Sequence, residues 1–168
     1  MSENAYLVPV DGRYFEDYVG GAVFDCGAIR VEESEVIAFA KRYDPQDFHT
    51  DPDAAARSVY GGLIASGWHT AAMTMRLLVA NYLSGIASLG SPGIDELRWI
   101  GPVRPADVLS VRVTILDARR SRSKPDRGVV RSLIEVSNQR GELVMSLKAI
   151  NLLLCREPAH GPEGEASL

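Results

Sequence analysis

The longest apolar stretch of the chain, residues 65–84, predicts one long helix. Arg76 is its only charged side chain, and its apolar residues fall on every face of the helix. A helix that is apolar all round is typical of a buried helix. A membrane span is disfavoured, because polar side chains such as His69 and Asn81 are costly in hydrocarbon. We therefore expect the rest of the protein to surround this helix.

Two shorter helices are predicted in front of it. Residues 32–43 carry apolar side chains at helical spacing, and their first turn is acidic, as the helix dipole favours. Pro45 disfavours helical geometry at Asp44, so this helix ends there. Residues 51–58 begin with an aspartate followed by a proline, which is typical of an N-cap and a first helical position. His49 then lies in the turn between the two helices.

Alternation of polar and apolar positions predicts five strands, four of them after the long helix. Residues 107–117 alternate most cleanly, as in a sheet with one buried face. In residues 142–155 the apolar positions change face, and we expect a bulge near residues 149–151 to reconcile them. The predicted strands are residues 22–31, 94–100, 107–117, 128–138 and 142–155.

The order of these elements indicates an α+β fold. Residues 139–141, Gln-Arg-Gly, are typical of a hairpin turn, and successive hairpins give an antiparallel sheet. One sheet and one apolar helix favour a sheet that curls around the helix. The 168 residues fit a single domain. We expect it to span residues 1–155 and to be followed by a disordered tail, residues 156–168, which is almost free of apolar side chains.

Composition narrows the possible functions. A formal net charge of -4 argues against nucleic acid as the main partner. Cys26 and Cys155 have neither CxxC nor Cys/His spacing, so we interpret them as reduced core thiols and not as nucleophiles. The N-terminal residues lack the basic and apolar regions of a signal peptide. We therefore expect a cytoplasmic protein that does not bind membranes.

The first candidate site is the pair Asp44 and His49. A carboxylate and an imidazole at the mouth of an apolar cavity can hold a water and exchange protons with a substrate. In an apolar cleft we expect the pKa of Asp44 to rise above its ordinary value of about 4. An aspartate beside a proline is also common in plain turns. Metal binding through His49 and Asp51 is disfavoured, because no third ligand stands at a familiar spacing.

The start of the long helix is the second candidate site. The first N–H groups of a helix have no partner inside it, so the Gly67 N–H can stabilise a developing oxyanion. Gly62 lets the backbone approach a ligand closely, and Ser66 can cap the helix; we assign both to substrate binding. Alternatively, Ser66 and Gly67 form only a cap and a tight turn. For His69, in the first turn, we expect a satisfied core histidine.

A basic cluster between two predicted strands is the third candidate site. It consists of Arg119, Arg120, Arg122, Lys124 and Arg127 in a chain that is acidic overall. Such a cluster can hold phosphates, and we assign this role to Arg122 and Lys124. The alternative interpretation is a solvated hairpin tip.

Three motifs resemble one known family, the MaoC-like dehydratases, which include the R-specific enoyl-CoA hydratases. They are D-P-Q-D-F-H followed by G-G-L-I-A-S-G-W-H-T (residues 44–70), L-R-W-I-G-P-V-R-P-A-D-V-L (97–109) and S-R-S-K-P-D-R-G (121–128). The signature of the hydratases in this family usually reads G-D-x-N-P-x-H. In this chain Gln46 replaces the Asn and Asp47 the Pro, and the spacing from acid to histidine is kept.

The resemblance implies a hot-dog fold, in which a sheet wraps a central helix. It also implies hydration of a trans-2-enoyl-CoA without a metal or bound cofactor, in a homodimer whose interface shapes the acyl tunnel. Asp44 and His49 match the catalytic pair of the family, and Gly67 matches the glycine whose N–H polarises the thioester carbonyl. Two other hypotheses stay open: a thioesterase on the same fold, and a non-catalytic acyl-CoA-binding module.

Overall fold

The computed structural model describes residues 8–157. Its strands are β1 (Val23–Arg30), β2 (Gly93–Trp99), β3 (Val108–Arg120), β4 (Arg127–Ser137) and β5 (Leu143–Leu154). Its helices are α1 (Glu33–Tyr43), α2 (Asp47–Thr50), α3 (Pro52–Ala56) and α4 (Gly67–Asn81), preceded by two single-turn 3-10 helices, Val10–Gly12 and Phe15–Asp17. The short helix α2 was not predicted; it occupies the expected turn around His49.

The five strands form one antiparallel sheet in the order β1-β3-β4-β5-β2. Strands β3, β4 and β5 are adjacent and connected by short turns, whereas β1 and β2 lie at the two edges. Inward-facing side chains alternate with outward-facing ones and supply the core. They include Val111, Val113, Ile115, Val130, Ile134 and Val136. The five predicted strands and their antiparallel arrangement are confirmed.

Against β4, strand β5 keeps one register from Met145 to Leu154, so the bulge predicted in it near residues 149–151 is wrong. A register shift does lie opposite Ala149, but its extra residue belongs to β2, between Ile94 and Glu96. The irregularity of β5 against β4 lies at the start of the strand, where Val144 and Met145 are both buried. Ala149, Asn151 and Leu153 all face inward and are buried. The apparent change of face arose because the inward position 151 carries a polar residue.

Helix α4 packs against β1, β3 and α1. Its buried residues are His69, Thr70, Met73, Thr74 and Leu78. On the opposite face Trp68, Met75 and Val79 are exposed. The sheet wraps one side of the helix, so the expected burial of every face is wrong within one chain.

The segment before β1 is tied to the sheet and to the end of α4. A Cβ added to Gly128 in β4 would lie 2.1 Å from the Phe15 ring, so this ring reaches the sheet only because position 128 has no side chain. The Tyr18 hydroxyl donates a 2.7 Å hydrogen bond to the carbonyl oxygen of Tyr82. Both aromatic side chains are buried. The lead-in thus closes one end of the core.

Both cysteines are buried thiols, as predicted. Burial raises the pKa of Cys26 to about 12, so this sulfur stays protonated and unreactive. The tail predicted at residues 156–168 falls outside the described residues except at its start, where the Arg156 guanidinium donates a 2.7 Å hydrogen bond to Asp17. In residues 8–157 no helix has the length and apolar character to cross a membrane.

Candidate active site

The Asp44 carboxylate is the centre of a small polar cluster at the junction of three helices. The residue follows the last turn of α1, where its N–H still donates to the carbonyl oxygen of Ala40. Asp44 Oδ2 lies 3.4 Å from His49 Nε2 and accepts a 2.7 Å hydrogen bond from Ser66 Oγ. The structure therefore brings together three of the predicted site residues, Asp44, His49 and Ser66.

Two hydrogen bonds hold this carboxylate in its ionised form. The Ser66 hydroxyl is the main cause of a lowered Asp44 pKa; the Gln46 amide, which donates 2.7 Å to Oδ1, and the nearby His49 lower it further. Partial burial acts in the opposite direction and is outweighed. The predicted rise of this pKa is therefore wrong. Asp44 lies at the rim of the cleft with donors on both of its oxygens.

The orientation of the His49 ring is fixed by the backbone. Its Nδ1 lies 2.8 Å from the carbonyl oxygen of Ile64. Because a carbonyl oxygen can only accept, Nδ1 carries a proton and donates it. Nε2, which faces Asp44, then has a lone pair in the neutral imidazole and an N–H in the imidazolium. The ring is almost fully buried, so this geometry is well defined.

Helix α4 begins beside this pair. Ser66 is its N-cap and accepts a 3.3 Å hydrogen bond from the Trp68 N–H, as predicted, in addition to its bond to Asp44. Gly67 is the first helical residue. Its N–H has no partner inside the helix, and we find no acceptor for it elsewhere in residues 8–157. A free backbone N–H thus lies at the cavity that the acid and the imidazole also line, and its role as an oxyanion donor stays a prediction.

A cavity of about 530 Å³ opens in front of these groups. Asp44, His49 and Gly67 all line it. Its other walls are mainly apolar and aromatic, as is common for small-molecule sites. They include Phe48, Tyr60, Ile64, Trp68, Trp99 and Val103. The cavity can hold an apolar group whose polar end reaches the acid, the imidazole and the backbone N–H.

Gly62 lies near this cavity but does not line it. It belongs to the loop between α3 and α4, and a Cβ added there would lie 3.3 Å from the Arg104 guanidinium. Arg104 in turn donates 2.6 Å to the carbonyl oxygen of Tyr60, which does line the cavity. A cation that we did not single out in the sequence therefore lies at the cavity mouth.

Arg122 and Lys124 lie at the far end of the β3–β4 hairpin. Ser110 and Ser137 pair at the cavity end of these strands, and Arg120 pairs with Gly128 at the other end. Ten residues of extended strand between the two pairs span about 33 Å. Within one chain, the structure does not bring the basic cluster to the cavity. Part of the cluster is also paired locally, since Arg120 forms a 2.6 Å ion pair with Glu16.

Trp99 lines the cavity and was not assigned to the site from the sequence. It ends strand β2, and its indole lies directly against Gly67. Its position within the motif of residues 97–109 was the available signal. In the described part of the chain, no group of three or more His, Cys, Asp or Glu side chains is placed to hold a metal ion.

Comparisons with family models, solved structures and known sequences agree on one family. The family model described as MaoC like domain matches residues 19–137. The crystal structure of a MaoC-like dehydratase from Rhodospirillum rubrum is 44% identical, with a TM-score of 0.81, over 87% of this chain and 99% of that one. An uncharacterized protein of Bacillus subtilis, YdeM, is 28% identical over 79% of this chain and 97% of its own length.

The fold extends to more distant relatives. The unliganded R-hydratase PhaJ1 of Pseudomonas aeruginosa has a TM-score of 0.69 at 23% identity, over 89% of this chain and 88% of that one. The sheet order, the long helix and these likenesses establish the predicted α+β hot-dog fold. The chain belongs to the MaoC-like dehydratase family.

Proposed function

We propose that this protein is an enzyme that adds water reversibly across the double bond of a trans-2-enoyl-CoA thioester. The observation that carries the proposal is the arrangement of one cavity: the Asp44 carboxylate, the His49 Nε2 and the free Gly67 N–H all reach it. Conjugate addition of water needs a proton acceptor near the β-carbon and a hydrogen-bond donor at the carbonyl oxygen. The likeness to an R-hydratase fold supports the same reaction class.

In the proposed reaction the water lies between Asp44 Oδ2 and His49 Nε2. The ionised Asp44 and the Nε2 lone pair orient it and take one of its protons, and its oxygen forms a bond to the β-carbon. The electrons of the carbon–carbon double bond move toward the carbonyl oxygen, giving an enolate. The pair then returns the proton to the α-carbon, which restores the thioester. Because the water supplies both the hydroxyl group and the proton, no other reactant is consumed.

Gly67 acts at the opposite end of the same short fragment. Negative charge develops on the carbonyl oxygen as the β-carbon is attacked, and the free N–H at the start of α4 is fixed before the reaction begins. Loss of a single donor of this type in other enzymes lowers kcat by roughly 10² to 10³. The helix start and the acid–imidazole pair are held together by Ser66, which caps the helix and donates to Asp44.

The first experiment follows crotonyl-CoA and butyryl-CoA in parallel, with enoyl absorbance and free thiol as the two signals. A hydratase consumes the enoyl absorbance and releases no thiol. A thioesterase releases thiol from both compounds, and a binding module changes neither signal. Loss of enoyl absorbance without thiol is the expected result.

Substitution of the pair then tests its role. Asp44→Asn and His49→Ala should each lower turnover by roughly 10² or more, the usual effect of losing a general acid or base. The double variant should be little worse than either single one, because both groups act on one water. Asp47→Asn, an exposed acid three residues from Asp44, is the matched control and should stay near wild type. Near-normal turnover in folded Asp44→Asn would overturn the assignment.

We also propose that the chain works as a homodimer, with a CoA thioester as its partner molecule. Support comes from the apolar face of α4, which is exposed in one chain, and from the free edge of β2. Cytoplasmic location, a reaction without metal or bound cofactor, and the absence of nucleic-acid and membrane partners stay predictions.

A further inference from the structure

The indole of Trp99 occupies the space in which a side chain at Gly67 would begin. A Cβ built on Gly67 would lie 2.4 Å from Trp99 Cε2 and 2.5 Å from Trp99 Nε1. Gly67 is therefore required for space, because any larger residue would displace the indole. The Trp99 backbone belongs to β2, paired with Met145 of β5, so the close approach is built by the sheet and not by a loop.

This approach places the indole nitrogen on the side of Gly67 toward which the free N–H groups of α4 point. Side chains of an α-helix tilt toward its N-terminus, which is also the direction of the free N–H groups. One carbon–carbon bond, about 1.5 Å, separates Gly67 Cα from the Cβ position, so Nε1 lies within about 4 Å of that Cα. The indole nitrogen and the Gly67 nitrogen are then at most about 5.5 Å apart.

That separation suits two donors that share one oxygen. Since each N–H···O bond spans about 2.9 Å, two nitrogens up to roughly 6 Å apart can both bond to one oxygen. An indole nitrogen donates and does not accept. Within residues 8–157 we find no acceptor for Trp99 Nε1–H. The indole lines the same cavity as Asp44 and His49, and Trp68 packs edge-on against it at a ring distance of 5.1 Å.

We propose that the Trp99 indole N–H is a second hydrogen-bond donor to the carbonyl oxygen of the thioester, acting together with the Gly67 N–H. This inference rests on the proposed function, because it assigns the carbonyl to the start of α4. The indole shares the negative charge that develops on the oxygen when water adds to the β-carbon. Trp99 is then a catalytic residue that acts in the transition state more than in substrate binding.

The test replaces the donor without changing the shape. Incorporation of 3-benzothienylalanine at position 99 exchanges the N–H for sulfur in a ring of nearly the same size, and Trp99→Phe provides a second, fully genetic variant. Both should lower kcat for crotonyl-CoA by about 10-fold or more and leave KM within about 3-fold, since the lost interaction belongs to the transition state. A rise in KM at unchanged kcat would show that Trp99 is only a wall of the cavity and would overturn the proposal.

A spectroscopic measurement separates this proposal from the proposed function. The carbonyl stretch of a bound butyryl-CoA analogue, with a methylene group in place of the thioester sulfur, reports the donors at its oxygen without any turnover. The band should shift toward its position in free solution in both Trp99 variants. Asp47→Asn, at an exposed residue that does not line the cavity, is the control and should leave the band in place.

The turnover of crotonyl-CoA and the carbonyl band test the two proposals independently. If the wild-type protein does not hydrate crotonyl-CoA, the proposed reaction is wrong, and the carbonyl band still shows whether Trp99 donates to a bound acyl group. If hydration is present and the band does not move in the position-99 variants, the second donor is wrong and the hydratase assignment stands.

Discussion

Arg104 brings a positive charge close to the cavity, where the phosphates of the proposed CoA thioester would need one. Its guanidinium lies beside Gly62 and donates to the Tyr60 carbonyl oxygen. We expect Arg104→Gln to raise the KM for crotonyl-CoA by about 10-fold at low salt, because hydrogen bonds to charged groups contribute roughly 1.5–3 kcal/mol. Salt screens charge, so the effect should shrink at high ionic strength. An equal effect at both salt concentrations would contradict a phosphate contact.

A comparison of low and high salt also tests whether Arg122 and Lys124 bind phosphates. Charge reversal at both positions is predicted to weaken binding more at low salt than at high salt. The distance along the hairpin means that such an effect has to come from a cavity of another subunit. Equal affinity at both salt concentrations would leave the basic cluster as a solvated hairpin tip.

At the residue scale, the sequence predicted the positions of the candidate catalytic groups better than their electrostatics. Proline chemistry at position 45 correctly ended α1 at Asp44, and the capping pattern at position 51 correctly began α3; His49 lies between them, in the short helix α2 and not in the predicted turn. The direction of the Asp44 pKa was predicted wrongly, because the Ser66 hydroxyl that lowers it is 22 residues away along the chain. The spacing of residue types along the sequence does not reveal hydrogen bonds between segments that are distant in the chain.

At the element scale, the packing of α1 against α4 contains an unsatisfied polar atom. The His69 ring is buried and stacked on Phe39 at 4.7 Å, and its Nδ1 has no hydrogen-bond partner within the described residues. The expectation of a satisfied core histidine is therefore wrong in part. Burial lowers the pKa of His69 below its ordinary value of 6.5, while Glu35 opposes this shift. The folded chain thus favours the neutral ring.

This sets a pH dependence of stability that can be measured. Since the folded pKa lies below the unfolded one, the neutral ring's contribution is fully present above pH 6.5 and is lost as pH falls toward the folded pKa. His69→Phe keeps a stacked ring and removes the proton. The difference in unfolding free energy between wild type and variant should change by at most about 1.4 kcal/mol per pH unit between pH 7 and 5, in favour of the variant at low pH. A pH-independent difference in urea titrations would contradict this account.

The elements themselves were predictable where pattern and local geometry agree. The clean alternation of β3 and the acidic first turn of α1 gave bounds close to those observed. Strand β5 was misjudged at Asn151, where a buried polar residue reversed the apparent faces. Whether a polar side chain on a strand is buried depends on the packing around it. The alternation of residues along its own strand does not reveal that packing.

At the scale of the whole molecule, burial depends on what the chain assembles with. The apolar character of α4 on every face predicted burial on all sides, yet the sheet of one chain covers one side. Exposed apolar side chains are also found at and after the end of β2 and at its start, namely Trp99, Ile100 and Ile94. An exposed apolar helix face together with a free strand edge is typical of an interface.

We predict that the exposed apolar face of α4 joins two copies of the chain. Met75→Lys combined with Val79→Lys places two charges on the exposed stripe of α4, where the side chains are 48% and 59% exposed in one chain. The double variant should shift the protein from dimer to monomer in light scattering at micromolar concentration, because an interface cannot readily bury unpaired charges. Leu116→Lys, at a side chain that is 50% exposed on β3, is the matched control and should stay dimeric. A wild-type protein that is monomeric under these conditions would contradict the dimer. A double variant that remains dimeric would place the interface elsewhere on the surface.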